Sequence, residues 1–225
     1  MLPAIDSIPW SKLYSFMENA ECVPDCITKL KGSLTESEVS SIYKTLEQEL
    51  HYPDEICQAT AFATPYLLEL LNKPNTIVTP KVLKLLQLFF RKAIFGASEV
   101  GFRVSEDTLE NPEQYRGDAA SLGDGTFSGS TPRDEINGWC VLVYMDLKGA
   151  RDKIEALASS SEPEIKEPAK QLLRYVDDYW SEEQKHHDSN VIDDDAKERM
   201  DKLTLQASYF FDADVDELCD VEEDE

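Results

Sequence analysis

Two groups of side chains in this sequence have the chemistry of metal ligands. Cys22 and Cys26 lie four residues apart, a spacing that places both thiols on one face of a helix. A structural zinc site takes about four ligands, and no second cysteine pair stands at a useful spacing. The residues His-His-Asp at 186–188 and the aspartates at 193–195 lack the ligand spacing and the loop glycine of an EF-hand. We therefore expect no metal site, and we interpret these groups as incidental or buried thiols and an exposed acidic linker.

The sequence contains none of the short motifs that carry a known catalytic mechanism. It has no G-x-S-x-G elbow, no Walker phosphate loop, no dinucleotide fingerprint and no H-E-x-x-H motif. Carboxylates are so abundant, with 45 Asp and Glu residues, that pairs of them have no diagnostic value. The glycines between Gly123 and Gly129 do not follow a predicted strand, which disfavours a phosphate cradle. We expect a protein that is not an enzyme and that uses no cofactor.

Acidic charge is the dominant chemical feature of the chain. The 45 acidic residues face 22 basic ones, which gives a formal net charge of -23. The segment from Asp177 to Glu225 contains 19 acidic and 4 basic residues. Nucleic acids and anionic membranes attract positive surfaces, so this balance argues against both as partners. It suits a basic protein partner, because complementary charge speeds encounter and sets specificity. The alternative is that the acidity only maintains solubility.

The candidate partner-binding residues lie at the start of this acidic segment. On a helix, Asp178, Glu182 and Glu183 share a face near Tyr179 and Trp180. Carboxylates beside aromatic rings offer an arginine or lysine both a charge and a ring face. The alternative is that the rings belong to the core and the carboxylates are merely solvated. The full predicted set is Asp177, Asp178, Tyr179, Trp180, Glu182, Glu183, Asp193, Asp194 and Asp195.

Apolar residues at helical spacing predict that the elements positioning these side chains are helices. Trp10, Leu13, Tyr14 and Met17 follow Pro9 at such a spacing and predict a first helix. A second short helix is expected between Pro24 and Gly32.

Capping residues and prolines mark the starts of the next helices. Thr35 followed by Glu38 has the pattern of a capping box. Pro65 interrupts an apolar helical run, so we expect it to kink or restart that helix. Thr79 and Pro80 fit an N-cap followed by proline at the first helical position.

The middle of the chain changes character. Seven of the nine glycines lie from Gly96 to Gly138, without any sustained hydrophobic period. We expect a long loop there, with residues 102–135 mobile or ordered only on binding. Helical spacing returns over 139–158, a further helix is expected to start between Pro163 and Pro168, and a last helix is expected over 196–211. The predicted organisation is therefore N-terminal helices over 1–95, a glycine-rich loop over 96–138, C-terminal helices over 139–211 and an acidic tail over 212–225.

Three segments between Trp10 and Phe90 resemble bacterial HEAT-repeat-like proteins. They are W-S-K-L-Y at 10–14, the helix from Tyr43 to Leu50 followed by His-Tyr at 51–52, and A-T-A-F-A-T-P-Y-L-L-E-L-L at 59–71. The helices over 138–180 look like a second block of the same type. The resemblance implies stacked antiparallel helix pairs, an α-solenoid whose concave face binds partners. Proteins of this kind resemble binding scaffolds, and some stand beside bacterial toxins as immunity proteins.

These observations together predict an all-α, HEAT-like α-solenoid with a long glycine-rich loop insertion. The expected function is non-catalytic: an immunity protein or inhibitor that neutralises a basic, nuclease-like toxin through an acidic surface. The alternative is a general interaction scaffold or an enzyme accessory factor. No signal peptide or transmembrane run is apparent, and the five cysteines form no disulfide framework, so we expect a cytoplasmic protein.

Overall fold

The computed structural model describes residues 2–52, 55–98 and 133–189, and within these ranges the chain is mostly helical. The helices are α1 (Val23–Lys29), α2 (Glu36–Leu50), α3 (Gln58–Leu70), α4 (Val78–Ser98), α5 (Arg133–Gly149), α6 (Arg151–Ala158) and α7 (Pro163–Ser189). The described strands form two small hairpins, β1 (Tyr14–Ser15) with β2 (Glu18–Asn19) and β3 (His51–Tyr52) with β4 (Glu55–Ile56). The predicted all-α class is confirmed. None of the described helices is both long and apolar enough to cross a membrane.

The N-terminal segment is not the helix that its apolar spacing predicts. It forms two 3-10 turns, Ile5–Ser7 and Trp10–Lys12, followed by the β1–β2 hairpin. The indole of Trp10 is buried, and its Nε1 donates to the Ile5 carbonyl at 2.8 Å. The Phe16 backbone N–H donates to the Glu49 carbonyl at 3.1 Å, and the Tyr14 backbone N–H donates to the Gln58 side chain at 3.2 Å, so tertiary contacts override the local pattern here.

Helix α2 begins as the sequence indicates. The Glu38 backbone N–H donates to the Thr35 hydroxyl at 3.3 Å, and the Thr35 backbone N–H donates to the Glu38 carboxylate at 2.8 Å. This reciprocal pair is the predicted capping box, and it is confirmed. The helix turns Val39, Leu46 and Leu50 into the core.

Helix α3 runs through Pro65 without ending, so the predicted restart does not occur. Its residues from 58 to 68 are all buried, which leaves their polar groups dependent on partners inside the protein. The Thr60 hydroxyl donates to the Leu50 carbonyl at 2.6 Å, and the Thr64 hydroxyl donates to the Thr60 carbonyl at 2.8 Å. These two bonds satisfy the hydroxyl donors of a helix that is enclosed by its neighbours.

Helix α4 begins earlier than the Thr79–Pro80 pattern predicts. The side chain of Asn75 accepts hydrogen bonds from the backbone N–H groups of Ile77 and Val78, at 3.0 and 2.7 Å. The Thr79 hydroxyl instead accepts from the Asn75 backbone N–H at 2.9 Å. Asn75 therefore caps the helix, and Pro80 lies in its first turn, where a missing N–H costs little.

The core of the unit Met1–Asp177 lies where α3 and α4 pack against α5. Phe89 and Phe90 of α4 are fully buried, and the Phe90 ring stacks on Tyr144 of α5 with 6.0 Å between centroids. The Lys153 ammonium of α6 donates to the Leu68 carbonyl near the end of α3 at 3.0 Å. The second unit, Asp178–Glu225, is described only as far as Ser189, where α7 ends.

Several predicted boundaries differ from the observed ones. Helix α5 starts at Arg133, so the last residues of the expected glycine-rich loop are helical. The helical stretch predicted over 139–158 forms two helices, because the helix is interrupted at Ala150, between α5 and α6. Helix α7 starts at Pro163 and continues through Pro168. The remainder of the predicted loop, the helix over 196–211 and the tail over 212–225 lie outside the described residues.

Candidate functional site

The predicted partner-binding residues divide into two groups in the structure. Asp177 to Glu183 belong to α7, so the helix assumed for Asp178, Glu182 and Glu183 is present. Residues four positions apart lie on the same side of an α-helix, so Asp178 shares a side with Glu182, and Glu183 shares one with Tyr179. Tyr179 and Trp180 belong to the same turns. Asp193, Asp194 and Asp195 lie outside the described residues.

Asp177 has a partner inside the protein. Its carboxylate forms a bidentate ion pair with the Arg151 guanidinium, with 2.7 Å from Nε to Oδ1 and 3.1 Å from the terminal nitrogen to Oδ2. Arg151 also donates to Glu155 at 3.0 Å. The hydrogen bonds and charge of Asp177 hold the pKa of Arg151 above its usual value. The pair therefore joins α7 to α6, a role that the sequence pattern did not indicate.

Acidic charge is distributed unevenly on either side of this ion pair. Residues 151–177 contain six acidic and five basic side chains, so this stretch is almost neutral. Residues 178–225 contain 18 acidic and 4 basic side chains, a net charge of -14, while the 177 residues before them carry -9. The concentrated negative charge thus begins immediately after Asp177, the residue that pairs with Arg151.

The cysteines of the described residues are poorly suited to nucleophilic chemistry. Burial, reinforced by the Glu49 carboxylate, raises the pKa of Cys22 to about 12. Burial also raises the pKa of Cys57 to about 11 and that of Cys140 to about 12, and it raises the pKa of Cys26. The thiolate is the reactive form, so these thiols are largely inert near neutral pH. In the described part of the chain, no group of three or more His, Cys, Asp or Glu side chains could hold a metal ion.

Glu49, near the end of α2, organises the N-terminal hairpin and was not identified from the sequence. Its carboxylate accepts from the Ser15 hydroxyl at 2.6 Å and from the Cys22 thiol at 3.4 Å, and its carbonyl accepts from the Phe16 backbone N–H at 3.1 Å. A carboxylate in the last turn of a helix is unfavourable with respect to the helix dipole. That unfavourable position is the sequence signal by which Glu49 could have been found.

A shallow apolar depression lies between α1, α2, α3 and α4. Its walls are buried aliphatic side chains, including Leu30, Leu46 and Val82. At its edge the Lys81 ammonium lies 5.5 Å from the centroid of the Tyr43 ring. The Tyr43 hydroxyl donates to Glu47 at 3.2 Å, and burial raises its pKa, with the Glu47 carboxylate adding to the effect.

No family model matches the chain, and no match is found among curated proteins or solved structures. The resemblance to HEAT-repeat-like proteins therefore stays a prediction.

Proposed function

We propose that this chain is a non-catalytic protein-binding protein whose acidic segment after Asp177 recognises a basic protein. The observation that carries the proposal is the change in charge at this position, from the nearly neutral stretch 151–177 to a net charge of -14 over 178–225. Exposed charges act over about 8 Å at physiological ionic strength, so only a concentrated cluster provides strong local attraction. The most specific form of the proposal is an immunity protein or inhibitor that covers the basic substrate surface of a nuclease-like toxin.

Within this proposal the acidic residues have different tasks. Asp177 holds α7 against α6 through its ion pair with Arg151. Because the guanidinium already compensates its charge, Asp177 contributes less to attraction of a partner than the acidic residues after it. Asp178, Glu182 and Glu183 form what we call the acidic set, and Asp193, Asp194 and Asp195 extend the same negative charge along the chain. Tyr179 and Trp180 are proposed to supply ring faces to arginine and lysine side chains of the partner.

The proposal includes a HEAT-like arrangement of helix pairs, a glycine-rich insertion and a cytoplasmic location. Packing of successive helices, α1 on α2 and α3 on α4, supports the first of these. Free thiols at Cys22, Cys26, Cys57 and Cys140 suit a reducing compartment, which supports the last.

Charge reversal of the acidic set provides the test. Full-length protein and the variant Asp178→Lys/Glu182→Lys/Glu183→Lys are used to capture proteins from native cell lysate, and captured proteins are identified by mass spectrometry. The matched control reverses three exposed carboxylates elsewhere, in Asp6→Lys/Glu21→Lys/Glu162→Lys, and so has the same net charge. Asp177 is left unchanged because its substitution would also break the ion pair with Arg151.

We expect the wild type and the control to capture a basic protein that the variant loses, with association that slows as salt rises. A toxin gene directly upstream would identify that protein as the cognate toxin. Equal capture by the wild type and the acidic-set variant, persisting at high salt, would refute recognition by this segment. That outcome would favour the alternative, a general scaffold whose acidity serves solubility.

A further inference from the structure

Helix α4 carries the opposite charge from the rest of the chain. It contains Lys81, Lys84, Arg91 and Lys92 and no acidic residue, in a protein whose net charge is -23. At 3.6 residues per turn these four side chains and Leu88 fall within about 100° of one another around the helix. Lys84 is exposed and the other four are half-buried, whereas the residues between them are buried. We call this outward side of α4 the basic stripe.

The N-terminal end of the basic stripe is chemically distinct from the remainder. Lys81 lies beside the Tyr43 ring, and neither Lys81 nor Lys84 forms an ion pair with a carboxylate in the described part of the chain. A cation that is positioned by an aromatic ring keeps its charge available to an incoming anion. Two lysines without a carboxylate partner among the described residues thus lie within one turn of the helix, Lys84 exposed and Lys81 half-buried beside Tyr43.

Apolar surface adjoins these two lysines. Val78 and Val82 of α4 line the shallow depression, and Ile77, next to Val78 in the chain, is one of the two large apolar side chains that are exposed among the described residues. The depression encloses only about 10 Å³, roughly the space of one water molecule. Pockets for small molecules are much larger, at about 300–1,000 Å³, so the surface suits the tip of a side chain and not a whole small molecule.

We propose that this surface, formed by Lys81, Lys84, Tyr43 and Ile77, docks an acidic peptide segment of a partner protein. Carboxylates of the segment pair with the two ammonium groups, and one apolar side chain packs on Ile77 and the rim of the depression. A nucleic-acid backbone matches the charge but gains nothing from the apolar rim, and the overall negative charge of the chain repels a long polyanion. The site lies in a different part of the chain from the acidic set and does not depend on its role.

The probe is an array of short synthetic peptides in which one Leu, Ile or Phe stands at varied positions among Asp and Glu residues. Full-length protein is tested for binding to this array, to the same peptides with Asn and Gln replacing the acids, and to a single-stranded oligonucleotide. We expect binding to acidic peptides only. Failure of every acidic peptide to bind would overturn the proposal, and so would preferential binding of the oligonucleotide.

The double variant Lys81→Glu/Lys84→Glu assigns that binding to the surface. We expect it to weaken peptide binding by about tenfold or more, because it replaces two attractions by repulsions. The control Lys12→Glu/Lys73→Glu makes the same change of net charge at two exposed lysines elsewhere and should bind nearly as the wild type does. Equal weakening by both double variants would show a long-range effect of net charge and refute the site.

Two further variants keep the test decisive. If the double variant does not fold, Lys84→Glu alone reports on the same surface, since Lys84 is exposed. Ile77→Ser should weaken peptide binding without altering its dependence on salt, and an unchanged affinity would refute the apolar contact. The acidic-set variant should bind the peptides at least as well as the wild type, so failure of this proposal and failure of the proposed function are distinguishable.

Discussion

The hydrogen bond between Ser15 and Glu49 provides a sharp test of how the N-terminal hairpin is held. Ser15 is fully buried, and its hydroxyl lies 2.6 Å from the Glu49 carboxylate and 2.9 Å from the Asn19 carbonyl. A hydroxyl has one proton, and the shorter contact to a charged acceptor is the stronger bond. The same oxygen accepts from the Met17 backbone N–H at 3.2 Å. The substitution Ser15→Ala removes all of these interactions at once.

The expected cost follows from the type and burial of each contact. A hydrogen bond to a charged group contributes about 1.5–3 kcal/mol, and Glu49 is only half-buried, so we take a value near the lower end. Water can replace the bond at Met17, because that residue is exposed. We expect Ser15→Ala to lower the free energy of unfolding by about 2 kcal/mol, and the midpoint of thermal unfolding by about 4–8 °C for a chain of this size.

Urea unfolding of the full-length protein measures this loss. Ser33→Ala, at an exposed position in a loop, is the control and should stay within about 0.5 kcal/mol of the wild type. A double-mutant cycle with Glu49→Gln isolates the pair, and we expect the two changes together to cost less than the sum of each alone. A loss below about 0.5 kcal/mol for Ser15→Ala, or strict additivity in the cycle, would refute the reasoning.

Four other predictions follow from the described contacts. Phe89→Ala should cost about 3–5 kcal/mol in urea unfolding, because the ring is fully buried; a loss under about 1 kcal/mol would contradict the packing of α4. Thr35→Ala should cost about 1 kcal/mol. The hydrogen bonds from Thr35 lower the pKa of Glu38 from 4.5. The stabilisation by the Glu38 carboxylate is therefore complete above pH 4.5 and is lost as the pH falls through the lower pKa of the folded state. The free energies of unfolding of the wild type and of Glu38→Gln, measured against pH, should converge in acid and not in base. At pH 8, iodoacetamide should alkylate the Cys22 thiol far more slowly than it alkylates the thiol of free glutathione. The rate of alkylation at Cys22, followed by peptide mass spectrometry, should rise toward pH 12 and should be higher in Glu49→Gln.

Features with a local physical cause could be predicted from the sequence. The Thr35 capping box depends on two side chains three residues apart, and both the pattern and the bond are contained in one helical turn. The apolar spacing of α2 and α4 likewise indicated helices, because amphipathic periodicity reports which face is buried. The prediction from Thr79 and Pro80 put the start of α4 a few residues too late, because Asn75, further upstream, provides the cap.

Features that depend on distant residues could not be predicted. Trp10 to Met17 have helical spacing, yet they form a turn and a hairpin, in which Ser15 and Phe16 donate hydrogen bonds to Glu49, more than thirty residues away. The ion pair of Asp177 could not be predicted for the same reason, because its partner Arg151 lies on another helix. The stacking of Lys81 on Tyr43 also joins two helices, and spacing along one helix contains no information about it.

The packing of α4 on α5 has a consequence for the order of events during synthesis. The Phe90 ring stacks on Tyr144 of a helix that begins only at Arg133 and ends at Gly149. A ribosome adding about 5–20 residues per second needs roughly 3–10 s to proceed from the end of α4 to the end of α5. During that interval the part of the apolar face of α4 that packs on α5 has no native partner in the nascent chain, although α2 and α3 are already made. The newborn protein is thus exposed to aggregation at this helix, and chaperones that hold apolar segments are expected to engage it there.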